Sequence, residues 1–146
     1  MFGFDLQSLL DVRTALEEKR QLELAEAIRD LELQQEIFSG IKDRRRQLIR
    51  EYYELEGKPV KSLGLVLYSE NITLYRDMEI TQQDKCRQAE RKVDDSRLAL
   101  IEASKQKKIL EKYKEKKLVE YKQELSRKEC KELDEAAILR YGGPPA

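Results

Sequence analysis

Apolar residues recur at alternating intervals of three and four along the second half of the chain, which is the heptad spacing of a coiled coil. Ten of the fourteen positions in this series are apolar. The small residues among them would let a partner helix approach closely. The series predicts one long helix with a single buried stripe, here called the seam: Leu65, Tyr68, Ile72, Tyr75, Glu79, Gln82, Cys86, Ala89, Val93, Ser96, Leu100, Ala103, Lys107 and Leu110.

The first half of the chain carries a comparable series, with one irregularity. Two steps of three follow each other between Gln35 and Ile41, beside the pair Ser39–Gly40. Such a slip predicts a stammer, a local overwinding of the coiled coil. Nearer the N-terminus the pattern does not define a register. The predicted seam is Leu24, Ile28, Leu31, Gln35, Phe38, Ile41, Arg45, Leu48, Tyr52 and Leu55.

One break interrupts the helical pattern, at "EGKPVKSLG". Gly57 suits a helix C-terminus, Pro59 cannot continue a helix, and Ser62 suits the start of the next one. A second stop, "GGPP", closes the chain at 142–145. The sequence therefore predicts an all-α fold in a single domain, 1–146. Its two long helices, about 5–56 and about 65–141, fold back at a turn of about 57–64 into an antiparallel coiled-coil hairpin.

The two predicted helices differ in length, the C-terminal one being longer. Antiparallel pairing brings Asp5 near Lys116, so the last 25 or so residues, roughly 37 Å of helix, extend past the N-terminus. A polar helix of this length is marginal by itself. It nevertheless keeps an apolar stripe, Leu118, Tyr121, Leu125, Leu133 and Ala137. A stripe without a partner inside the chain predicts a partner outside it.

Composition agrees with long helices and argues against catalysis. Charged residues make up 40% of the 146 residues, with 6 Gly, 3 Pro and no Trp, as is typical of coiled coils. There is no histidine, hence neither the commonest general base nor the commonest neutral metal ligand. Two helices also offer no enclosed cleft. We expect no enzymatic activity and no cofactor.

Charge, hydropathy and cysteine content indicate which partners and which cell compartment to expect. Basic and acidic residues balance at 29 each, so no net charge steers the whole chain toward nucleic acid or membrane. No apolar run approaches the roughly 20 residues that span a bilayer, and the N-terminus does not resemble a signal peptide. Cys86 and Cys130 lie far apart on helix, so we expect reduced thiols and a cytoplasmic protein.

Three local clusters have both a structural and a functional interpretation. The basic run 42–50 could bind the phosphates of a nucleic acid, but acidic residues dilute it, and a solvated helix face is its simpler interpretation. The denser run "KQKKILEKYKEKK", 105–117, is either a solvated face or a docking site for an acidic protein surface. Adjacent Tyr52 and Tyr53 cannot both face the seam, so at least one is exposed and could anchor a contact.

Two blocks at the ends of the chain resemble the FliJ family of flagellar type III export proteins. They are the opening "FDLQSLLDVRTALEEKRQLELAEA" and the closing "KKILEKYKEKKLVEYKQELSRKECKELDEAAILRYG". The middle departs somewhat, with Asn71 where an aromatic residue is more usual. The resemblance implies an antiparallel coiled coil akin to the central stalk of rotary ATPases.

The resemblance also implies partners: the hexameric flagellar export ATPase, whose ring assembly the family promotes, the export gate protein FlhA, and export chaperones. The matching positions for the gate are Leu48, Tyr52, Tyr68, Ile72 and Tyr75. For the ATPase ring, the overhanging arm suggests Lys112, Lys116, Tyr121, Arg127 and Arg140. We expect a cytoplasmic monomer associated peripherally with the inner-membrane export apparatus, with no nucleic acid bound and no membrane insertion.

Three other functions stay open at this stage. The chain could be an escort that binds export chaperones along the coil, or the equivalent stalk of a virulence-type secretion system. It could also be a scaffold that dimerises through the same seam in trans.

Overall fold

The computed structural model describes residues 1–58 and 62–142 and forms two helices, α1 (Gln7–Glu56, 50 residues) and α2 (Ser62–Tyr141, 80 residues). The helix boundaries lie close to the predicted ones, and the C-terminal helix is the longer, as expected. Residues 59–61 of the predicted turn, and 143–145 of the "GGPP" stop, lie outside the described residues. The contacts divide the chain into two units, Met1–Glu17 with Glu102–Ala146, and Glu18–Ile101. Whether these form one domain stays a prediction.

In the unit Glu18–Ile101 the two helices pack antiparallel. The side-chain amide of Gln82 donates to the backbone oxygen of Gln34 at 3.0 Å and to its side-chain oxygen at 2.6 Å. Nε of Arg45 lies 2.7 Å from Oε2 of Glu79 in an ion pair. These two atoms are buried, and their geometry is not that of an aligned hydrogen bond. Because the residue farther along α1 pairs with the one earlier in α2, the arms run in opposite directions.

The predicted seam of α2 is confirmed in this unit, since each of its positions is buried or half-buried. The most enclosed are Gln82, Cys86, Ala89 and Val93, with exposed fractions between 3% and 9%. Three of these four side chains are small or short, so the helices can approach closely. The thinness of a two-helix interface also explains why no described side chain is less than 2% exposed.

The predicted position of the stammer in α1, beside Ser39–Gly40, is wrong. Gln35 is exposed, and Gln34 takes its place in the seam through its hydrogen bonds to Gln82. With Gln34 in the series, the steps from Leu31 to Leu55 alternate regularly between three and four, so no slip remains at Ser39–Gly40. The two consecutive steps of three fall instead at Ile28, Leu31 and Gln34. The error arose because two adjacent glutamines look alike to a hydrophobicity pattern.

In the other unit, the start of α1 packs against residues 102–121 of α2, again antiparallel. The ammonium of Lys107 lies 3.2 Å from the carboxylate of Glu17, and the ammonium of Lys114 donates to Oε1 of Gln7 at 2.7 Å. Leu10 and Ala103 are 7% and 4% exposed and are the most buried apolar residues of this interface. The register that the sequence left open here is therefore Leu10, Arg13 and Glu17, a series that is mostly polar.

Candidate partner-binding surfaces

Residues predicted to contact the export gate lie on both sides of the turn, and the structure places all five toward the seam. Leu48 is 4% exposed and fills the interface between the helices. Tyr52, Tyr68, Ile72 and Tyr75 are half-buried. The Tyr68 hydroxyl donates a hydrogen bond to the Glu51 carboxylate, and this bond together with the charge of Glu51 raises the pKa of Tyr68. Leu48 can thus only support such a surface, whereas the other four expose part of their side chains.

Other apolar residues near the turn are far more exposed than those the sequence pointed to. Tyr53 is 67% exposed, its ring stacked edge-on against Tyr52 with centroids 6.0 Å apart. This confirms that one of the two adjacent tyrosines faces outward. We define the tip surface as the exposed apolar residues Tyr53, Leu63, Val66, Leu67 and Leu74. Sequence reasoning missed four of them because it followed the seam, and apolar residues outside the seam were the signal.

A groove lies beside the tip surface and is shared by Tyr53 of that surface and the half-buried Tyr52 and Ile72. It has a volume of about 320 Å³ and is lined by Ile49, Tyr52, Tyr53, Ser69, Ile72, Thr73 and Arg76. Both helices contribute to it, α1 with aromatic and aliphatic side chains and α2 with two hydroxyls, one guanidinium and the aliphatic side chain of Ile72. The groove can accept an apolar group from a partner and pair a polar one with Arg76.

At the other end of the helices, the residues before α1 pack onto α2 through two aromatic pairs. The rings of Phe2 and Tyr121 have centroids 5.5 Å apart, and those of Phe4 and Tyr113 are 5.9 Å apart. The ammonium of Lys117 lies 5.4 Å from the centre of the Tyr113 ring. Tyr121, predicted to contact the ATPase ring, is therefore half-covered by Phe2. The other four residues of that prediction, Lys112, Lys116, Arg127 and Arg140, are exposed.

Beyond Tyr121, α2 continues to Tyr141 with every residue exposed. We call residues 122–142 the overhang; it is shorter than the 25 or so residues expected, because the segment before α1 covers part of α2. Its apolar side chains include the predicted Leu125 and Leu133, 44% and 70% exposed. Three further ones were not predicted, Ile138, Leu139 and Tyr141, each at least 67% exposed.

An ion pair between Glu17 and Lys107, next to the Ser104 hydroxyl, joins α1 to the part of α2 that precedes the overhang. A hydrogen bond from Ser104 and a second from Lys107 lower the pKa of the Glu17 carboxyl. The same carboxylate, as acceptor, raises the pKa of Lys107, with a smaller contribution from Glu111 at 3.6 Å. The arrangement stabilises one register of the arms and offers no group poised for proton transfer.

The described residues hold no cluster of three or more cysteine or acidic side chains that could bind a metal. Within residues 1–58 and 62–142, no helix is long and apolar enough to cross a membrane. Both cysteines are free thiols, Cys86 buried and Cys130 exposed. Burial and the charge of Glu90 raise the pKa of Cys86.

Comparison with known proteins shows a similar fold and a family. The chain is similar in structure to a protein described as a YscO homolog from Chlamydia trachomatis, with a TM-score of 0.53 and 20% sequence identity. That similarity covers 97% of this chain and 96% of the other, and at this identity it supports the fold alone. No match was found among curated proteins. The family model described as "Flagellar FliJ protein" matches residues 2–145. Since this match spans nearly the whole chain, the protein belongs to the flagellar FliJ family.

Proposed function

We propose that this protein is a non-enzymatic stalk of the flagellar type III export apparatus. It would bind the hexameric export ATPase through the overhang, promote assembly of the ATPase ring, and contact the export gate protein FlhA through the tip surface. Membership of the FliJ family supports the flagellar setting. The observation that carries the proposal is the overhang, in which every side chain is exposed although several are large and apolar.

The overhang is suited to a distributed contact with a surrounding protein. Its 20 helical residues, 122–141, span about 30 Å. An isolated polar helix of this length is marginally stable in water, so a host that covers Leu133 and Leu139 would also stabilise the helix. Exposed Lys112, Lys116, Arg127 and Arg140 add polar contacts around and along it. Tyr121 would take part only once Phe2 has moved away from its ring.

Truncation before the overhang tests the ATPase contact. A chain ending at Tyr121 keeps both aromatic pairs with Phe2 and Phe4, so it should fold with unchanged stability. We expect it to lose stimulation of the purified export ATPase. A chain lacking only residues 143–146 serves as the control. Full stimulation by the chain ending at Tyr121 would refute a role for the overhang.

The contact with FlhA is tested at the tip surface. Replacing Tyr53 by Ala removes an exposed aromatic anchor without opening the seam, and we expect FlhA binding to weaken at least fivefold. Leu98→Ala is the matched control, because Leu98 is equally exposed, at 65%, but lies away from the tip. Equal binding by the two variants, measured by calorimetry, would contradict the proposal.

A chaperone escort is the second candidate, and one observation favours it. Leu22, Leu33 and Ile37 are 65%, 52% and 41% exposed and share one outer face of α1 by helical spacing. An amphipathic helix of a chaperone could pack on this face. If Leu33→Ser abolished chaperone binding while ATPase stimulation stayed normal, the protein would have both functions. The stalk of a virulence-type secretion system is the remaining alternative, and binding to the flagellar rather than the virulence ATPase decides between them.

A further inference from the structure

A stripe of four lysines runs along the outer face of α2, in the unit that contains residues 102–142. Lys105, Lys108, Lys112 and Lys116 follow each other at spacings of three, four and four, so they fall within an arc of about 80° around the helix. All four side chains are exposed. The arc lies opposite Ala103, Lys107 and Leu110, which face α1. The stripe is therefore open to a large flat partner.

The neighbouring lysines differ from those of the stripe in having partners within the molecule. Lys107 pairs with Glu17, Lys114 with Gln7, and Lys117 with Glu120 at 3.5 Å. Among residues 1–58 and 62–142, no salt bridge involves a lysine of the stripe. The segment 105–117 holds seven lysines and two glutamates, so its local charge is strongly positive although the whole chain is neutral. Acidic residues farther away than a Debye length, about 10 Å at 0.1 M salt, are largely screened and do not offset this positive charge.

Two exposed aliphatic side chains lie on the same face. Ile109 is 62% exposed and Val119 is 53% exposed, and helical spacing places both within about 20° of the lysine arc. If the partner were a protein surface made only of acidic residues, Ile109 and Val119 would lie against carboxylates. The interface of an anionic bilayer accepts both kinds of group, because lysine ammoniums reach the phosphates while short aliphatic chains enter among the headgroups.

We propose that this face of α2 binds an anionic lipid surface, reversibly and without insertion of the helix. Each lysine near such a surface strengthens binding about fivefold at moderate salt. Four lysines with two small aliphatic contacts give a weak peripheral attachment, since stable anchoring needs stronger signals. Lys112 and Lys116 also belong to the proposed ATPase contact. Membrane-bound and ATPase-bound chains are therefore expected to be alternatives.

Vesicle co-sedimentation of the full chain tests the proposal. The probes are vesicles of phosphatidylcholine alone and of phosphatidylcholine with about one third phosphatidylglycerol, in roughly 0.1 M salt, where screening is still partial. We expect binding only to the anionic vesicles and its loss in roughly 0.5 M salt. Equal binding to both vesicles, or binding to neither, would overturn the proposal. Binding to polyglutamate but to no vesicle would do so in favour of an acidic protein partner.

Substitutions locate the surface. The variant K105Q/K108Q should bind anionic vesicles about 25-fold more weakly, because both lysines are removed from the stripe. The matched variant K122Q/K128Q loses the same charge from exposed positions off the stripe and should bind nearly as well as the native chain. Weaker vesicle binding by K122Q/K128Q than by K105Q/K108Q would refute the proposal that the stripe is the binding surface. Since Lys105 and Lys108 lie outside the proposed ATPase contact, K105Q/K108Q should keep ATPase stimulation, which separates failure of this inference from failure of the proposed function.

Discussion

A single carboxylate, Glu17, makes the interface near the N-terminus sensitive to pH at both extremes. Its folded-state pKa lies below the ordinary 4.5, so its stabilising contribution is present above that value and is lost as the pH falls through the lowered pKa. The pKa of Lys107 lies above the ordinary 10.5, so the contribution of Lys107 is present below that value and is lost as the pH rises through the raised pKa.

Replacing Glu17 by Gln should therefore lower the melting temperature mainly between these limits. The difference from the native chain should be largest near neutral pH and should shrink as the pH falls below 4.5 or rises above 10.5. Circular dichroism at several pH values measures it. Glu18→Gln is the control, because Glu18 is exposed and forms no salt bridge among the described residues. A melting difference that is the same at every pH would show that the ion pair is not its cause.

The two cysteines should react with a thiol reagent at very different rates. Cys86 is 9% exposed, and its raised pKa leaves little thiolate at neutral pH, whereas Cys130 is exposed on the overhang. We expect Cys130 to react at least about tenfold faster in the native state. The variant Cys130→Ser isolates the Cys86 signal, which should become fast only in denaturant. Rapid labelling of native Cys86 would mean that the arms open readily.

At the scale of helices, close approach between α1 and α2 depends on small side chains. Ala89 is 3% exposed in the unit Glu18–Ile101, so a larger side chain there must push the helices apart. Ala89→Leu should lower the free energy of unfolding by about 1–3 kcal/mol, as measured by urea denaturation. Gln88→Leu places the same leucine side chain at the adjacent exposed position and should have little effect. Equal effects of the two would contradict close approach at Ala89.

The heptad pattern predicted the helices, their antiparallel pairing and the seam of α2, because apolar spacing and the break at Gly57–Pro59 are local signals. The heptad pattern did not predict some of the seam positions that are occupied by polar side chains. The interface near the N-terminus uses Arg13 and Glu17, and their burial depends on partners such as Lys107 that no local pattern reveals. For the same reason Gln34 and Gln35 could be told apart only by the amide of Gln82.

The candidate surfaces were harder to predict than the fold. Leu48, chosen from the resemblance, is buried, whereas Tyr53 and Leu67 are exposed. A family motif indicates which stretch of chain meets a partner, but a shift of one residue turns a helical side chain by about 100°. The covering of Tyr121 by Phe2 involves residues more than a hundred positions apart, so it too required the structure.

For the molecule as a whole, the assembly state follows from which arms share a seam. In both units the polar contacts join α1 to α2 of the same chain, as in the pairs Gln34–Gln82 and Gln7–Lys114. Pairing within one chain costs only closure of a short connection, whereas pairing between chains also loses translational and rotational freedom. We therefore expect a monomer of 17.2 kDa in sedimentation equilibrium. Its melting temperature should stay constant on dilution, because unfolding of a monomer does not depend on concentration. Twice that mass, with a melting temperature that rises with concentration, would mean that the seam pairs arms of two chains, and the scaffold interpretation would then replace the stalk.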